Sequence, residues 1–375
     1  SYSKLMPGQS FISFNMRQFS LGLSNESPGW GPGQFNSLIF SNNASGFGHI
    51  TFRTTNPVDI FVGKIEFEVL GGSLKSADFQ PNYGTYGPIN KPKNDRYVSG
   101  LNFVFSPRWF NGLHFGFSRI FQVYYDDLGT KLDDYLPFFD GFQKQVVGFQ
   151  EDAKNRSQQV SVSARWVFSK ANAEIYFEFG KRDHALNWRD FIMSPSHARA
   201  FLFGFQKIFA FNASNSLQLR FEATQSQQAI NRLIRDVNQG AGQSWGGHYP
   251  VTQGFSHYGQ QLGNGVGPGN NVQTLEISWV RDVRKLGVMF ERLEHQMDFF
   301  DRAFLDQSPA RPWVDISAGL VGNWRFNRLV ANARVQFIRS LNYQWQQDFV
   351  YPGSQNARGV DRFNLHSYMG VTYLF

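Results

Sequence analysis

The chain has 375 residues, a net charge of +7 and no cysteine, so disulfides and thiolate metal sites are excluded. No run of about 18 uncharged apolar residues is present, which excludes a transmembrane helix. Aromatic residues nevertheless make up 17% of the chain, including 40 Phe, while the mean hydropathy is −0.37. This combination is typical of a transmembrane β-barrel, whose strands alternate lipid-facing and lumen-facing residues.

Alternation along the chain predicts an all-β fold of fifteen strands. Side chains of a strand point alternately to its two faces, and here one face is apolar and the other mostly polar. In the clearest strand, Val162 and Trp166 have the opposite parity to Ser161 and Arg165. The predicted strands are 12–16, 19–24, 49–54, 59–70, 101–105, 113–117, 159–168, 173–179, 197–208, 215–225, 272–281, 284–293, 313–326, 329–341 and 363–375.

Short turns and long loops alternate strictly between these strands. Bacterial outer-membrane barrels have short periplasmic turns and long extracellular loops, so the C-terminus is predicted to be periplasmic. A closed antiparallel barrel needs an even number of strands, because its first and last strands must pair. We therefore expect residues 1–375 to form one barrel domain, with three further strands preceding Ser1 in the full protein.

The last predicted strand ends the chain with Tyr373 and Phe375 on its apolar face. A strand of this pattern resembles the terminal signal by which bacterial outer-membrane barrels are recognised for assembly. We therefore predict the barrel-assembly machinery as a partner, and Tyr373 and Phe375 as the assembly signal.

The segment 25–48 is rich in Gly, Asn and Ser and is predicted to fold into the lumen as a plug, with the long loops covering the mouth. Trp30 lies among Gly29, Gly31 and Gly33. Two interpretations of Trp30 are open: its indole stacks on a sugar ring, or it packs the plug against the barrel wall while the glycines form tight turns. The second is favoured.

Charged residues recur at the lumen-facing parity of the predicted strands. They could form a permeation filter, or a network of ion pairs and hydrogen bonds that anchors the plug, which is favoured because both signs of charge lie on neighbouring strands. The residues of this predicted lumen network are Arg165, Glu174, Glu178, Arg220, Glu222, Arg325 and Arg334.

Catalytic and metal sites are weakly indicated. Asp183, His184 and Asp190 have the residue types of an acid and base but no spacing that defines a geometry. His184, His197 and His257 match no compact ligand motif. The chain is therefore predicted to be no enzyme and to use no metal or cofactor.

The long loops carry aromatic, amide and acidic side chains, which suit carbohydrate because they combine stacking with hydrogen bonds. The same residues can also make a well-packed loop cap, and the two interpretations remain open. The candidate glycan-binding residues are Trp30, Tyr125, Asp126, Trp188, Trp245, His248, Tyr249, His257 and Tyr258. The net charge of +7 permits an anionic partner such as acidic polysaccharide or lipopolysaccharide.

Three sets of motifs, in order along the chain, resemble one known family. They are WGPG at 30–33 with SLIFSNNA at 37–44, EIYFE at 174–178 with DH, RD and PSH up to 197, and GFSHYG at 254–259 with LG and GPG up to 269. Together they resemble the Wzi-type capsule-assembly outer-membrane proteins. The resemblance implies an eighteen-stranded barrel in a Gram-negative outer membrane, an N-terminal periplasmic helical part, loops that close the exterior, and lectin-like retention of capsular polysaccharide.

Two other functions are compatible with the pattern. One is a structural subunit of a larger assembly with other outer-membrane proteins, and the other is a passive diffusion channel, since a large barrel can enclose an aqueous lumen. The expected surroundings are outer-membrane lipids, lipopolysaccharide and surface polysaccharide, and no nucleic acid.

Overall fold

The computed structural model describes residues 9–77, 94–141, 154–182, 188–193, 195–196, 198–228, 245–247, 251–304, 310–349 and 357–374. The strands are β1 (Phe11–Met16), β2 (Phe19–Ser24), β3 (His49–Thr54), β4 (Val58–Ile60), β5 (Gly63–Leu74), β6 (Arg96–Pro107), β7 (Leu113–Tyr124), β8 (Ser157–Phe168), β9 (Ala173–Lys181), β10 (Arg199–Ala210), β11 (Asn215–Gln225), β12 (Ser256–His257), β13 (Gln260–Gln261), β14 (Asn271–Arg281), β15 (Arg284–Glu294), β16 (Val314–Phe326), β17 (Leu329–Leu341), β18 (Gln347–Phe349), β19 (Ala357–Gly359) and β20 (Arg362–Tyr373). The α-helices are α1 (Leu132–Tyr135), α2 (Trp188–Met193) and α3 (Met297–Phe304). Within the described ranges, every helix is too short or too polar to cross a bilayer.

One large antiparallel sheet contains fifteen strands in the order β1-β2-β3-β5-β6-β7-β8-β9-β10-β11-β14-β15-β16-β17-β20, with β4 paired to β5 outside this path. Each strand on the path neighbours the next one along the chain, as in an up-and-down barrel. The predicted all-β fold is thus confirmed, and each of the fifteen predicted strands corresponds to one on this path, while β4 makes a sixteenth strand of the sheet. The pairs β12–β13 and β18–β19 form two small sheets of their own within long connections.

The predicted strand 59–70 is wrong in its first part. The chain makes β4, turns at Phe61 and Val62, and begins β5 at Gly63. Phe61 lies in this turn and is 87% exposed. Gly63 permits the turn, because a Cβ there would lie 2.2 Å from the backbone oxygen of Ser106 on the neighbouring strand.

The chain divides into two compact units. The first comprises Ser1–Arg165, Phe177–Phe201 and Gln228–Pro268. Its interior contains apolar residues of the predicted plug, among them Leu38, Ile39 and Phe40, together with Val98 and Ile120 of the strands, and polar side chains are buried there as well. The predicted plug thus packs against the strands of this unit.

The second unit comprises Trp166–Tyr176, Leu202–Gln227 and Gly269–Phe375. Its strands are apolar on the outside and polar on the inside, which is the reverse of a soluble protein. In β17, for example, Phe337 is exposed while its neighbour Gln336 is buried. Buried polar side chains and exposed large apolar ones on the same strand are what a bilayer requires.

Candidate functional site

The plug contacts the strands of the first unit through Trp30. Its indole is 2% exposed, and Nε1 donates a hydrogen bond of 3.0 Å to Oε2 of Glu68 on β5. The ring lies against Gly100 of β6, where a Cβ would approach Trp30 Cη2 to 2.6 Å. Gly100 is therefore a position where a larger side chain would displace the plug. In this structure Trp30 packs, and no face of it is free to stack on a sugar.

A second indole fills the interior of the same unit in the same way. Trp245 is buried and its Nε1 donates to the backbone oxygen of Leu38 at 3.3 Å. A Cβ at Gly180 of β9 would lie 2.5 Å from Trp245 Cη2. The two tryptophans thus hold the plug against two glycines of the sheet.

The β12–β13 hairpin lies directly on the plug. Ser41 donates from its backbone N–H to Leu262 at 2.7 Å and from its hydroxyl to the backbone oxygen of Gly263 at 2.6 Å. Asn43 Nδ2 donates to the oxygen of Gln261 at 2.9 Å. The plug and this loop therefore form one hydrogen-bonded body, although more than two hundred residues separate them in sequence.

Three buried arginines, which the sequence analysis did not single out, tie long loops to the strands of the first unit. Arg96 of β6 donates to the backbone oxygens of Gly254 at 2.5 Å and Ser256 at 2.9 Å. Arg119 of β7 donates to the backbone oxygens of Phe138 at 2.8 Å and Asp140 at 2.7 Å. Arg96 begins β6, where a loop arrives, whereas Arg119 lies in the middle of β7 and has no comparable signal in the sequence. In both places the guanidinium reaches more than one carbonyl.

Arg156, the third of these arginines, donates to the Asp140 carboxylate at 2.5 Å. Asp140 is thus held through its carboxylate by Arg156 and through its backbone oxygen by Arg119. Charge-assisted hydrogen bonds of this kind fix a loop more firmly than neutral ones. The connection between β7 and β8 is therefore anchored at two points below its outer surface.

A group of polar and aromatic residues lies at the surface of the first unit. We call Lys75, Asn94, Asp95, Tyr125, Asp126 and Tyr258 the rim cluster. The Lys75 ammonium pairs with Asp95, and Asn94 Nδ2 donates to the Asp126 carboxylate. The backbone N–H of Tyr258 donates to the backbone oxygen of Lys75 at 3.0 Å. The hydrogen bond to Asp95 raises the pKa of Lys75, so this side chain stays charged at neutral pH.

The structure therefore brings together three of the nine predicted glycan-binding residues, namely Tyr125, Asp126 and Tyr258. Tyr125 is 44% exposed, Asp126 is exposed and Tyr258 is half-buried. Half-exposed tyrosines beside carboxylates, an amide and an ammonium offer both stacking and hydrogen bonds, the chemistry that a sugar hydroxyl and ring require.

The other predicted glycan-binding residues are placed differently. His257 is buried behind Tyr258, its ring 4.3 Å away, and its Nδ1 accepts from the backbone N–H of Lys75 at 3.0 Å. Trp188 of α2 is 70% exposed and is not among the residues of the rim cluster. His248 and Tyr249 lie outside the described residues.

The predicted lumen network can be followed in the second unit. Arg220 donates to Glu276 at 2.5 Å, and Tyr176 donates to Glu222 at 2.9 Å. Arg334 lies 4.0 Å from the Glu291 carboxylate. Glu276 and Glu291 also lie at the lumen-facing parity of their strands, although they were not among the predicted members. They are recognisable only when each arginine is matched with the acidic residues of other strands.

The remaining members of that network lie elsewhere. Glu174 and Glu178 are buried on β9, and a Cβ at Gly31 of the plug would lie 2.7 Å from Glu178 Oε2. Arg165 is exposed on β8. Arg325 is also exposed, and its Nε donates to the backbone oxygen at Asn327 in the β16–β17 turn at 3.0 Å, so it lies at the end of the strand.

Other predicted sites have the following places. Tyr373 pairs with Leu329 and is exposed, whereas Phe375 lies outside the described residues. His184, His197 and Asp183 also lie outside them. Among the residues that the structure describes, no three His, Asp or Glu side chains converge as metal ligands would.

The connection between β7 and β8 contains a carboxylate suited to a test of its anchoring. Asp134 accepts from the Lys154 ammonium and from the backbone N–H of Lys131 at 3.0 Å. These bonds, that from Lys154 first, hold the pKa of Asp134 below its ordinary value. A depressed pKa contributes stability that is present above the unfolded value of about 3.9 and is lost as the pH falls through the folded value.

We therefore expect hydrogen-exchange protection of residues 131–136 to be full at pH 5–7 and to fall below about pH 4. Asp134→Asn should lower protection at neutral pH and remove the pH dependence. Asp133→Asn is the matched control, because Asp133 contacts only the same ammonium at 3.3 Å. Equal pH profiles for the parent and Asp134→Asn would contradict the assignment.

A large antiparallel sheet whose strands expose large apolar side chains and bury polar ones defines the class of outer-membrane β-barrel proteins. Within that class, the family described as capsule assembly protein Wzi matches residues 4–343, so this chain belongs to the Wzi capsule-assembly family. The resemblance seen in the sequence motifs is thereby confirmed.

Solved structures are similar to this chain in fold. Escherichia coli Wzi, described as an outer-membrane protein involved in group 1 capsule assembly and as a carbohydrate-binding β-barrel, is 14% identical, with 96% of this chain and 69% of that chain covered and a TM-score of 0.66. Pseudomonas aeruginosa OpdQ is 10% identical over 95% of this chain and 85% of that chain, with a TM-score of 0.31. The Acinetobacter baumannii outer-membrane channel DcaP is 8% identical, with 97% of this chain and 98% of that chain covered and a TM-score of 0.30. A search of curated protein sequences found no significant match.

Proposed function

We propose that this protein is a non-enzymatic barrel, integral to the outer membrane, that holds surface polysaccharide at its rim cluster. The observation that carries the proposal is membership of the Wzi capsule-assembly family. The similarity in fold to a barrel described as carbohydrate-binding supports it. We treat residues 1–375 as one barrel domain, because the strand order continues from β1 to β20 without interruption.

The rim cluster is the best candidate for the binding site because it combines accessible aromatic groups with polar side chains that are held in place. Asp126 accepts from Asn94, the Lys75 ammonium pairs with Asp95, and the Tyr258 backbone is bonded to the Lys75 backbone. A sugar that binds there meets side chains whose conformations are already restricted, which reduces the entropic cost of binding. His257 supports this surface, because its ring lies 4.3 Å from that of Tyr258 and its Nδ1 accepts from the backbone N–H of Lys75.

The distribution of charge bears on the kind of polysaccharide. The seven long connections (25–48, 75–95, 125–156, 182–198, 226–270, 295–313 and 342–361) contain 14 basic and 18 acidic residues. The net charge of +7 therefore resides on the strands and short turns. A polymer recognised mainly through its negative charge would meet net negative loops, so we propose that stacking and hydrogen bonds dominate and that binding depends weakly on salt.

The test is the binding of surface polysaccharide, purified from the bacterium that encodes the protein, to the folded barrel. Tyr258→Ala and Tyr125→Ala should each weaken binding about 5- to 30-fold, the range expected when a stacking aromatic is lost from an interface. Tyr258→Phe should retain most of the affinity if the ring stacks, and lose it if the hydroxyl is the recognised group.

Leu132→Ala serves as the matched control, since it removes an exposed apolar side chain from the connection that carries Tyr125. Folding of every variant is checked by the heat-modifiable mobility of the barrel on a gel. Unchanged binding by both tyrosine variants would remove the rim cluster as the site while leaving family membership intact. In that case the exposed Trp188 becomes the next residue to change.

The partners proposed for this protein beyond polysaccharide are outer-membrane lipids and lipopolysaccharide, the barrel-assembly machinery and other outer-membrane proteins. A structural role in a larger assembly is the second candidate function. It is favoured by the many large apolar side chains exposed along the strands, for example Phe337 and Leu365, which contact either lipid or another barrel. Co-purification of a stoichiometric partner in mild detergent would support it.

A further inference from the structure

Six basic residues of the second unit lie on four consecutive hairpin turns or within the last few strand residues beside them, a set that we call the basic edge. These turns connect β8–β9, β10–β11, β14–β15 and β16–β17, which follow one another in the sheet. Because successive hairpins of an antiparallel sheet turn at the same edge, the cations share one side of it. The members of the basic edge are Lys170, Lys207, Arg281, Arg284, Arg325 and Arg328.

None of these six makes an ion pair with a carboxylate within the part of the chain that the structure describes. Lys207 donates to the backbone oxygen of Ala171, Arg325 to that of Asn327, and Arg284 lies 5.8 Å above the ring of Trp324. Asp282 is the one acidic residue on these turns. The basic edge therefore keeps nearly all of its positive charge available.

Most other cations on the strands of the same unit have a carboxylate nearby. Arg220 and Lys285 contact Glu276, Arg292 contacts Glu294, Arg334 lies near Glu291 and Arg339 contacts Asp361. Unlike these, the basic edge gathers six cations at one side of the sheet without a carboxylate partner among the described residues, so its charge is available to a group from outside the chain.

Exposed apolar side chains surround the basic edge. They are Phe209, Phe211, Val283, Leu286, Phe326 and Tyr373. Aromatic side chains at the end of lipid-facing strands mark the level of the lipid headgroups, and long basic side chains extend from that level toward the polar phase. The surface is thus apolar toward the hydrocarbon and cationic at the headgroups.

We propose that the basic edge binds the phosphate groups of anionic glycerophospholipids in the leaflet on the short-turn side of the barrel. Guanidinium groups donate two hydrogen bonds to a phosphate, and neighbouring hairpins lie about 10 Å apart, two strand spacings, so each turn can hold a separate headgroup. This binding is independent of the proposed polysaccharide site, which lies on the long connections of the first unit.

The test reconstitutes the purified, full protein in bilayers of equal parts phosphatidylglycerol and phosphatidylcholine, and measures by native mass spectrometry which lipids stay bound after mild extraction. We expect about fivefold or greater enrichment of phosphatidylglycerol, the effect of roughly one basic residue at an anionic surface. Arg281→Gln with Arg328→Gln should reduce the enrichment at least twofold, since neither side chain has a partner among the residues that the structure describes.

The matched control is Arg311→Gln with Arg358→Gln, which removes the same charge from exposed positions on long connections. It should leave the enrichment unchanged. An equal loss in both double variants would overturn the proposal, because net charge alone would then explain the result. Absence of phosphatidylglycerol enrichment in the parent protein would also overturn it. Loss of the enrichment in about 10 mM inorganic phosphate would overturn it too, because the site would then be one for free phosphate.

Discussion

Leu320→Arg should lower the free energy of unfolding by about 2–4 kcal/mol, the cost of a basic side chain at the bilayer midplane. Leu320 is the central residue of the thirteen in β16 and is 55% exposed. Its neighbours in parity, Ile316 and Ala318, are exposed as well, whereas Ser317 is buried. The exposed side of β16 is therefore the side that faces lipid, and the measurement is reversible unfolding by urea in lipid vesicles.

Two variants on the same strand are the controls for this result. Asn323→Arg is equally exposed but has the opposite parity, so it faces the lumen and should cost little. Phe326→Arg has the lipid-facing parity but lies at the end of the strand, where the cost falls to about 0–1 kcal/mol. Equal destabilisation by Leu320→Arg and Asn323→Arg would mean that neither face of β16 contacts lipid.

Replacement of residues 25–48 by Asn-Gly should convert a closed barrel into a conducting one. Ser24 and His49 are directly paired in the β2–β3 register, so a two-residue turn can join these strands without a change of register. The shortened protein loses Trp30, Leu38 and Phe40, which fill the interior of the first unit. Planar-bilayer recordings should show little stable conductance for the parent and steady openings for the shortened protein.

A milder variant separates loss of the plug from loss of the fold. Gly100→Val places side-chain atoms where the indole of Trp30 now lies, and it leaves the rest of the plug in the chain. It should give intermittent openings between those of the parent and the shortened protein. Steady, porin-sized openings in the parent would instead favour the diffusion channel over a filled barrel.

The strands of this protein could be predicted because the alternation of apolar and polar residues within each strand shows which side chains are exposed and which are buried. In β16 the alternation of Ile316, Ser317 and Ala318 is visible in the sequence, and burial follows it residue by residue. The break between β4 and β5 could not be predicted in this way, because Phe61 and Val62 continue the apolar pattern through a turn. That turn is set by the close approach of Gly63 to the neighbouring strand.

The candidate site was less predictable because its residues meet only through the fold. Tyr125, Asp126 and Tyr258 belong to long loops and have the residue types of a sugar site. Their contacts with Asn94, which donates to Asp126, and with the backbone of Lys75, which bonds that of Tyr258, have no local signal in the sequence. Trp30 and Trp245 have the composition expected of sugar-stacking residues, yet both are buried against glycines of the sheet. Burial of a loop tryptophan depends on what lies opposite it, which sequence spacing does not reveal.

The binding of surface polysaccharide to the folded parent protein tests the proposed function most directly. An array of purified bacterial polysaccharides, probed with the detergent-solubilised barrel at 0.05 and about 0.5 M salt, should show saturable binding that changes little between the two, because the long connections carry no net positive charge. Absence of binding to every polysaccharide, by a barrel whose heat-modifiable mobility shows that it is folded, would contradict the proposed function and favour a structural role.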